Sequence, residues 1–294
     1  MEVTMIEGAL VLEGGSLRCL FTAGVLDVLM EHGIELSYVN GVSAGSMCGL
    51  NYVSKQIGRT KDINLNYVND KRYLGVHNLF RHGGIFNFDF LFSDITDHLH
   101  PFDKEEFLNS KQRFTAIATN CQSGEAEFFE KDSCANGSCD EIFLATRASS
   151  SMPMLSKMVK IQEEYYLDGG IALPIAYQKA LEEGYQKVIV VLTREAGYQK
   201  SPEKRSLFHA YEKLYSKYPK LLEKLHQIPQ HYNEMQKEIE QLEKEGRIYV
   251  IRPQHPITIK RLEKDIDKLE ELYKRGRNRM EEDLDRLKDY LDMI

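Results

Sequence analysis

The 294-residue sequence has no apolar run approaching the ~18 residues that a membrane-spanning helix needs. Its start, Met1-Glu2-Val3-Thr4-Met5-Ile6-Glu7-Gly8, carries neither the basic nor the apolar stretch of a secretory signal, so a cytoplasmic location is expected. There is no excess of positive charge. The 45 acidic residues outnumber the 38 basic ones for a net charge of −7, which argues against nucleic acid and anionic head groups as general partners. Only weak, transient contact with a membrane surface stays open. Cysteine is scarce: Cys19, Cys48, Cys121, Cys134 and Cys139 are odd in number and irregularly spaced, unlike a disulfide framework. Cys134 and Cys139 have no second pair and no nearby histidine to complete a metal site, so neither metal nor another cofactor is expected. The dinucleotide fingerprint G-x-G-x-x-G is missing too, because the first glycine turn reads Gly14-Gly15-Ser16-Leu17-Arg18-Cys19.

What remains is a chain long enough, and at 42% hydrophobic apolar enough, to bury a sizeable core. Residues 9–13 read as a short buried strand, followed by the glycine turn. A helix with Leu20, Val25, Leu26, Leu29 and Met30 near helical spacing then runs to Gly33. Residues 37–42 read as a second strand, and a second helix begins at Ala44. Strand, turn, helix repeated twice implies parallel strands with right-handed crossovers. Further strands are expected at 113–119, 159–167, 187–193 and 248–251, and helices at 140–148 and 174–184. From about residue 200 the composition turns to Lys, Glu and Leu. There Leu262, Ile266, Leu269, Tyr273, Met280, Leu284, Leu287 and Leu291 recur every three or four residues, with one gap at Gly276. Such a stripe reads as a helix laid on the sheet. The expected fold is α/β, three layers α/β/α around a mostly parallel sheet, with residues 1–200 as the core and 201–294 as a helix-rich part packed on it. The oligomeric state is not legible.

Three segments carry chemistry. Gly41-Val42-Ser43-Ala44-Gly45, between a strand and a helix, has the form of a nucleophile elbow. The serine hydroxyl projects from a sharp turn, Gly41 and Gly45 let neighbouring chain pass close by, and the helix aims its N-terminal N–H groups at developing negative charge. The turn at Gly14, Gly15 and Ser16 presents successive backbone N–H groups and suits an oxyanion hole. Arg18 either adds positive charge there or buttresses the loop. Asp168, at a strand end before Gly169 and Gly170, stands on a turn where it can meet groups from other loops.

In this order, glycine-rich loop, G-x-S-x-G serine and D-G-G, the three segments resemble the patatin-like phospholipase family. Leu12 to Asp27, with Phe21-Thr22-Ala23-Gly24-Val25-Leu26-Asp27, and Gly83-Gly84-Ile85-Phe86-Asn87-Phe88-Asp89 are similar to its bacterial members. The resemblance covers about residues 8 to 195. It implies a serine acyl hydrolase that releases fatty acids from lipid or other acyl-ester substrates, with Ser43 as nucleophile, Asp168 as its base, Gly14-Gly15-Ser16 as oxyanion donors and no catalytic histidine. Two positions depart from the family pattern: Ser16 and Cys19 stand where glycines are usual, which restricts the loop backbone. Two other functions stay in view. One is an α/β-hydrolase with a Ser–Asp–His triad, for which His209 and His255 are available but the 42 residues before Ser43 are few. The other is a catalytically weak lipid-binding module. Phe86, Phe88, Phe90 and Phe92 alternate and would share one face of an extended segment, either as an acyl-chain wall or, the preferred reading, as ordinary core.

Overall fold

A computed structural model describes residues 5–133, 138–260 and 262–293. Cys134 lies outside these residues. Strand β1 (Ile6–Leu12) leads through the glycine turn into helix α1 (Cys19–Glu31). Next come β2 (Leu36–Val42) and α2 (Ala44–Val53). An insertion follows: α3 (Arg59–Tyr67), α4 (Val76–Arg81), one-turn α5 (Phe88–Phe90) running into a π-helical stretch (Leu91–Leu99), and α6 (Lys104–Asn109). The chain re-enters the sheet as β3 (Arg113–Asn120) and β4 (Ala126–Glu130), then forms α7 (Asp140–Ser149), β5 (Val159–Ile161), β6 (Glu164–Asp168), α8 (Tyr177–Glu182) and β7 (Val188–Val191). The last elements are α9 (Arg205–Leu214), α10 (Pro219–Lys244), β8 (Tyr249–Ile251) and α11 (Ile266–Tyr290).

The expected three-layer α/β fold is what forms. The eight strands make one sheet in the order β5-β6-β3-β2-β1-β7-β8, with β4 also on β3. β2, β1, β7, β8 and β3 run parallel, and β4, β5 and β6 are antiparallel additions. β1 shows why helices cover both faces. Its side chains alternate, so Leu10 and Leu12 join α1 and α2 in one apolar cluster while Ala9 and Val11 join α8 and α10 in another.

The stripe of the last helix packs as its periodicity predicts. Leu269, Leu272, Tyr273, Met280, Leu284 and Leu287 are buried against the sheet side that carries α1. Leu262 precedes the helix and Ile266 opens it, and both are exposed. The gap at Gly276 is where α11 crosses α1: a Cβ there would lie 2.0 Å from the Phe21 carbonyl oxygen.

Two expectations are corrected. Residues 159–167 form not one strand but a hairpin, because Gln162 adopts φ 52° and reverses the chain between β5 and β6. The alternating phenylalanines do not lie on an extended strand. Helical winding from Phe88 onward turns Phe90 edge-on to Tyr67, whereas Phe86 and Phe88 stay stacked at 6.5 Å. Strand β4, too polar to recognise in sequence, lines the outer edge of β3. No helix among the described residues is long and apolar enough to cross a membrane.

Candidate active site

The register on β3 brings the two segments of the site together. Ile117 pairs with Val42 on one edge and Phe128 on the other, and its neighbour Ala118 pairs with Asp168 and Glu127. Parallel β2 and antiparallel β6 therefore abut along one edge of β3, with their C-terminal ends facing. Ser43 leaves the first end and Asp168 leaves the second. Ser43 Oγ donates to Asp168 Oδ2 at 2.7 Å, and both residues are 8% exposed.

Ser43 makes the whole change from strand to helix, at φ 56°, ψ −130°. A non-glycine residue there costs about 1–3 kcal/mol, which surrounding contacts must hold in place. They do. The Ser43 N–H donates to Ser149 Oγ at 2.8 Å, and Ser149 Oγ–H donates to the Ile117 carbonyl at 2.5 Å. The Ser46 hydroxyl donates to the Ser43 carbonyl at 2.6 Å. The elbow also needs its glycines for space: a Cβ on Gly45 would lie 2.5 Å from the Leu12 carbonyl oxygen, and one on Gly41 2.6 Å from Ser46 Cα. Asp168 is oriented from behind. Its Oδ1 accepts the Gly170 N–H at 2.8 Å, and its carbonyl accepts the Thr119 hydroxyl at 2.9 Å. Gly169 packs directly on the Ile117 carbonyl.

The glycine turn runs beside the elbow, with Gly14 against Ser43 and Gly15 against Thr193. Among the described residues, the Gly14 and Gly15 N–H groups donate to no backbone carbonyl. Ser16 takes φ 50°, a region that favours glycine. Strain of about 1–2 kcal/mol there is offset by the ~0.5–1 kcal/mol that glycine loses in chain entropy. Ser16→Gly is therefore expected to melt within a few degrees of the wild type, whereas Ser16→Val, β-branched and intolerant of this φ, should lose about 2 kcal/mol or more. Calorimetry of the two variants checks this; a harmless valine would mean that the turn is not strained.

Two cavities meet at Ser43. The first, of about 60 Å³, is apolar, with Leu20, Met47, Tyr73, Phe86, Phe88 and Leu91 in its wall. A further apolar cavity of about 50 Å³ shares Met47, Tyr73 and Leu91 with it and reaches Phe102 and Phe143. The other cavity at Ser43 is polar, about 200 Å³, and contains Asp168, Gly14, Gly15 and Ser16 together with Arg18, Arg194 and Lys200. Arg18 Nε is buried here without a hydrogen-bond partner. Burial, and then the nearby charge of Arg194, lower its pKa. Desolvation pushes Lys200 down to about 8. Glu13 lies buried beneath the turn, with Oε2 accepting the Thr193 N–H at 2.5 Å and Oε1 accepting the Tyr232 hydroxyl at 2.7 Å.

Sequence reasoning named Ser43, Asp168, Gly14, Gly15, Ser16, Gly41, Gly45, Arg18, Gly169 and Gly170, and the fold gathers all of them at these strand ends. It missed Ser149, Thr119, Arg194, Lys200 and Tyr232. The run Ser149-Ser150-Ser151 was the one faint sign of the first; the others stand in no motif. Neither His209 nor His255 lines either cavity at Ser43, and both are exposed. Among the described residues there is no cluster of groups able to hold a metal ion.

The uncharacterised protein YjjU of Escherichia coli K12 is 27% identical over 276 residues, covering 92% of this chain and 74% of its own. The crystal structure of VipD from Legionella pneumophila superposes with a TM-score of 0.52 at 14% identity, over 96% of this chain and 67% of that one, a likeness of fold. Residues 218–292 match a domain of unknown function (DUF6363). Residues 10–178, more than half of the chain and reaching from within β1 to past Asp168, match the patatin-like phospholipase model. By that match, the chain belongs to the patatin-like phospholipase family.

Proposed function

We propose that the protein is a serine acyl hydrolase that cleaves fatty acyl esters of lipids through a Ser43–Asp168 dyad. The observation that carries this reading is the 2.7 Å hydrogen bond from Ser43 Oγ to Asp168 Oδ2 at the tip of a strained elbow. Asp168 takes the serine proton as Oγ attacks the ester carbonyl. An acyl-enzyme forms on Ser43 as the alcohol departs, and water activated by Asp168 then releases the fatty acid. A carboxylate is a weak base in water, and holding it nearly buried against the hydroxyl is what makes the transfer feasible. The Gly14, Gly15 and Ser16 backbone and the start of α2 stabilise the oxyanion. No histidine is needed, and none lines either cavity.

The apolar cavities give the acyl chain a place on the α2 side of Ser43, so the chain-length profile tests the reading. Hydrolysis of p-nitrophenyl esters is expected to improve from acetyl to medium-chain acyl groups. Met47→Trp, filling the wall that both apolar cavities share, should remove that improvement and spare the acetyl ester. A fluorophosphonate probe should label Ser43 covalently, because only an activated serine reacts readily. No labelling and no turnover of any ester would move the assignment to a lipid-binding module.

A further inference from the structure

Where α7 ends, the run Ser149-Ser150-Ser151 reaches both members of the dyad. Ser149 Oγ accepts the Ser43 N–H at 2.8 Å, and the Ser151 carbonyl accepts the Asp168 N–H, also at 2.8 Å. The side chain between them takes no part in that clamp. Ser150 is 6% exposed and lines the apolar cavity beside Ser43. Its Oγ is buried there with no hydrogen-bond partner among the described residues.

This hydroxyl differs from the other polar side chains in the same wall. Ser43 is held by Asp168, the Thr60 hydroxyl accepts from Asn51 at 2.7 Å, and Asn64 Oδ1 accepts from the Tyr73 hydroxyl at 3.3 Å. A serine at a helix end usually bonds back to a carbonyl of its own helix. Ser151 does so, donating to the Arg147 carbonyl at 2.8 Å, and Ser150 does not. None of the other buried side-chain hydroxyls without a partner lines either cavity at Ser43. A hydroxyl left unpaired in an apolar wall carries a desolvation cost that alanine in its place would not. Its position is local to the elbow, because the residue before it touches the Ser43 amide. Ser150 lines the cavity that begins at Ser43 and not the one that continues past Leu91 to Phe102.

We infer that Ser150 forms a polar subsite within the acyl cavity, recognising acyl chains that carry a hydroxyl near their carboxyl end. With the acyl carbonyl at Ser43 Oγ, the first few carbons of the chain pass Ser150. Its hydroxyl can both donate to and accept from a hydroxyl on the chain. In a wholly apolar wall such an oxygen is disfavoured, since it gives up water and gains no partner. Opposite Ser150, both oxygens gain one. The inference rests on Ser43 being the nucleophile and on the acyl chain taking the apolar side.

The test compares kcat/KM for p-nitrophenyl 3-hydroxyoctanoate with that for p-nitrophenyl octanoate. The wild type should favour the hydroxy ester, and Ser150→Ala should lower the ratio by about tenfold. Ser150→Thr, which keeps a hydroxyl, should hold the ratio above that of the alanine variant. Because each ratio is taken within one preparation, partial unfolding cancels. The two enantiomers of the hydroxy ester should also be cleaved at different rates by the wild type, and Ser150→Ala should narrow that difference, since a hydrogen bond fixes the direction of the chain hydroxyl. A wild-type ratio at or below one would overturn the subsite. So would an equal loss on both esters in Ser150→Ala, which would make Ser150 a general support of the elbow, or a ratio that alanine leaves unchanged. In each of these cases the esters are still cleaved and the nucleophile assignment stands. Failure of the wild type to cleave any ester or to react with fluorophosphonate would instead overturn the nucleophile, and the subsite with it.

Discussion

Ser43→Ala is expected to lower ester turnover by about four orders of magnitude or more, and Asp168→Asn by about two to four, each with a melting temperature close to that of the wild type. The two losses differ because the residues do different things. Alanine removes the atom that carries the acyl group. Asparagine keeps nearly the shape of aspartate, with its one oxygen left to accept the Gly170 N–H and its NH2 group facing Ser43 Oγ. It cannot take the proton, so the step continues only as fast as an unassisted hydroxyl allows. Fluorophosphonate labelling should disappear in the first variant and slow in the second. Stability should hardly change, because the asparagine oxygen keeps the Gly170 N–H and the backbone carbonyl at this position keeps the Thr119 hydroxyl. Turnover near the wild-type rate in either folded variant would refute the dyad.

The second large effect concerns stability. Gly276→Ala is expected to cost about 3 kcal/mol or more, a fall of roughly 6–12 °C in melting temperature for a chain of this size. A Cβ at Gly276 would lie 2.0 Å from the Phe21 carbonyl oxygen, and across the same crossing a Cβ at Gly24 would lie 2.2 Å from the Tyr273 carbonyl oxygen. Both neighbours are backbone, so no side chain can swing aside and α11 must move away from α1. That movement stretches the buried hydrogen bond from the Tyr273 hydroxyl to Asp27, 2.7 Å, and the paired Arg277–Glu31 contacts at 2.9 and 2.6 Å. Alanine is ordinarily the better helix former by about 1 kcal/mol, so a loss of stability on Gly276→Ala would be a direct sign of the close crossing. Lys274→Ala, exposed on the same helix, serves as the control and should stay within about 0.5 kcal/mol. An unchanged melting temperature in Gly276→Ala would mean that the helices do not cross there. The effect should reach the site as well, because α1 begins directly after the glycine turn and carries Leu20 of the apolar cavity wall.

Much of the site was legible because short-range geometry dictates it. A serine between Gly41 and Gly45, after an apolar strand and before a helix, has few other conformations open to it, and a glycine turn followed by a helix presents N–H groups wherever it occurs. The apolar runs at 113–119 and 187–193 and the stripe from Leu269 to Leu287 betray buried strands and a packed helix, because burial leaves a period in the sequence. The aromatic run misled for the same reason: alternation predicts one face only if the segment is extended, and Phe88 onward is wound.

By itself, then, the sequence determined the layered α/β fold, the elbow at Ser43, the turn at Gly14-Gly15-Ser16 and the candidacy of Asp168, all of which follow from local backbone preference and periodic burial. Only the tertiary structure decided what lies beyond local reach. The register of β3 sets Val42 and Asp168 on adjacent residues, Ile117 and Ala118, and so closes a separation of 125 residues to 2.7 Å. Packing of α10 beside the glycine turn brings Tyr232 over Lys200 and fixes Glu13 from a distance of 219 residues along the chain. Contacts of that kind leave no pattern in a single sequence, since each partner obeys the periodicity of its own element and neither carries a mark of the other.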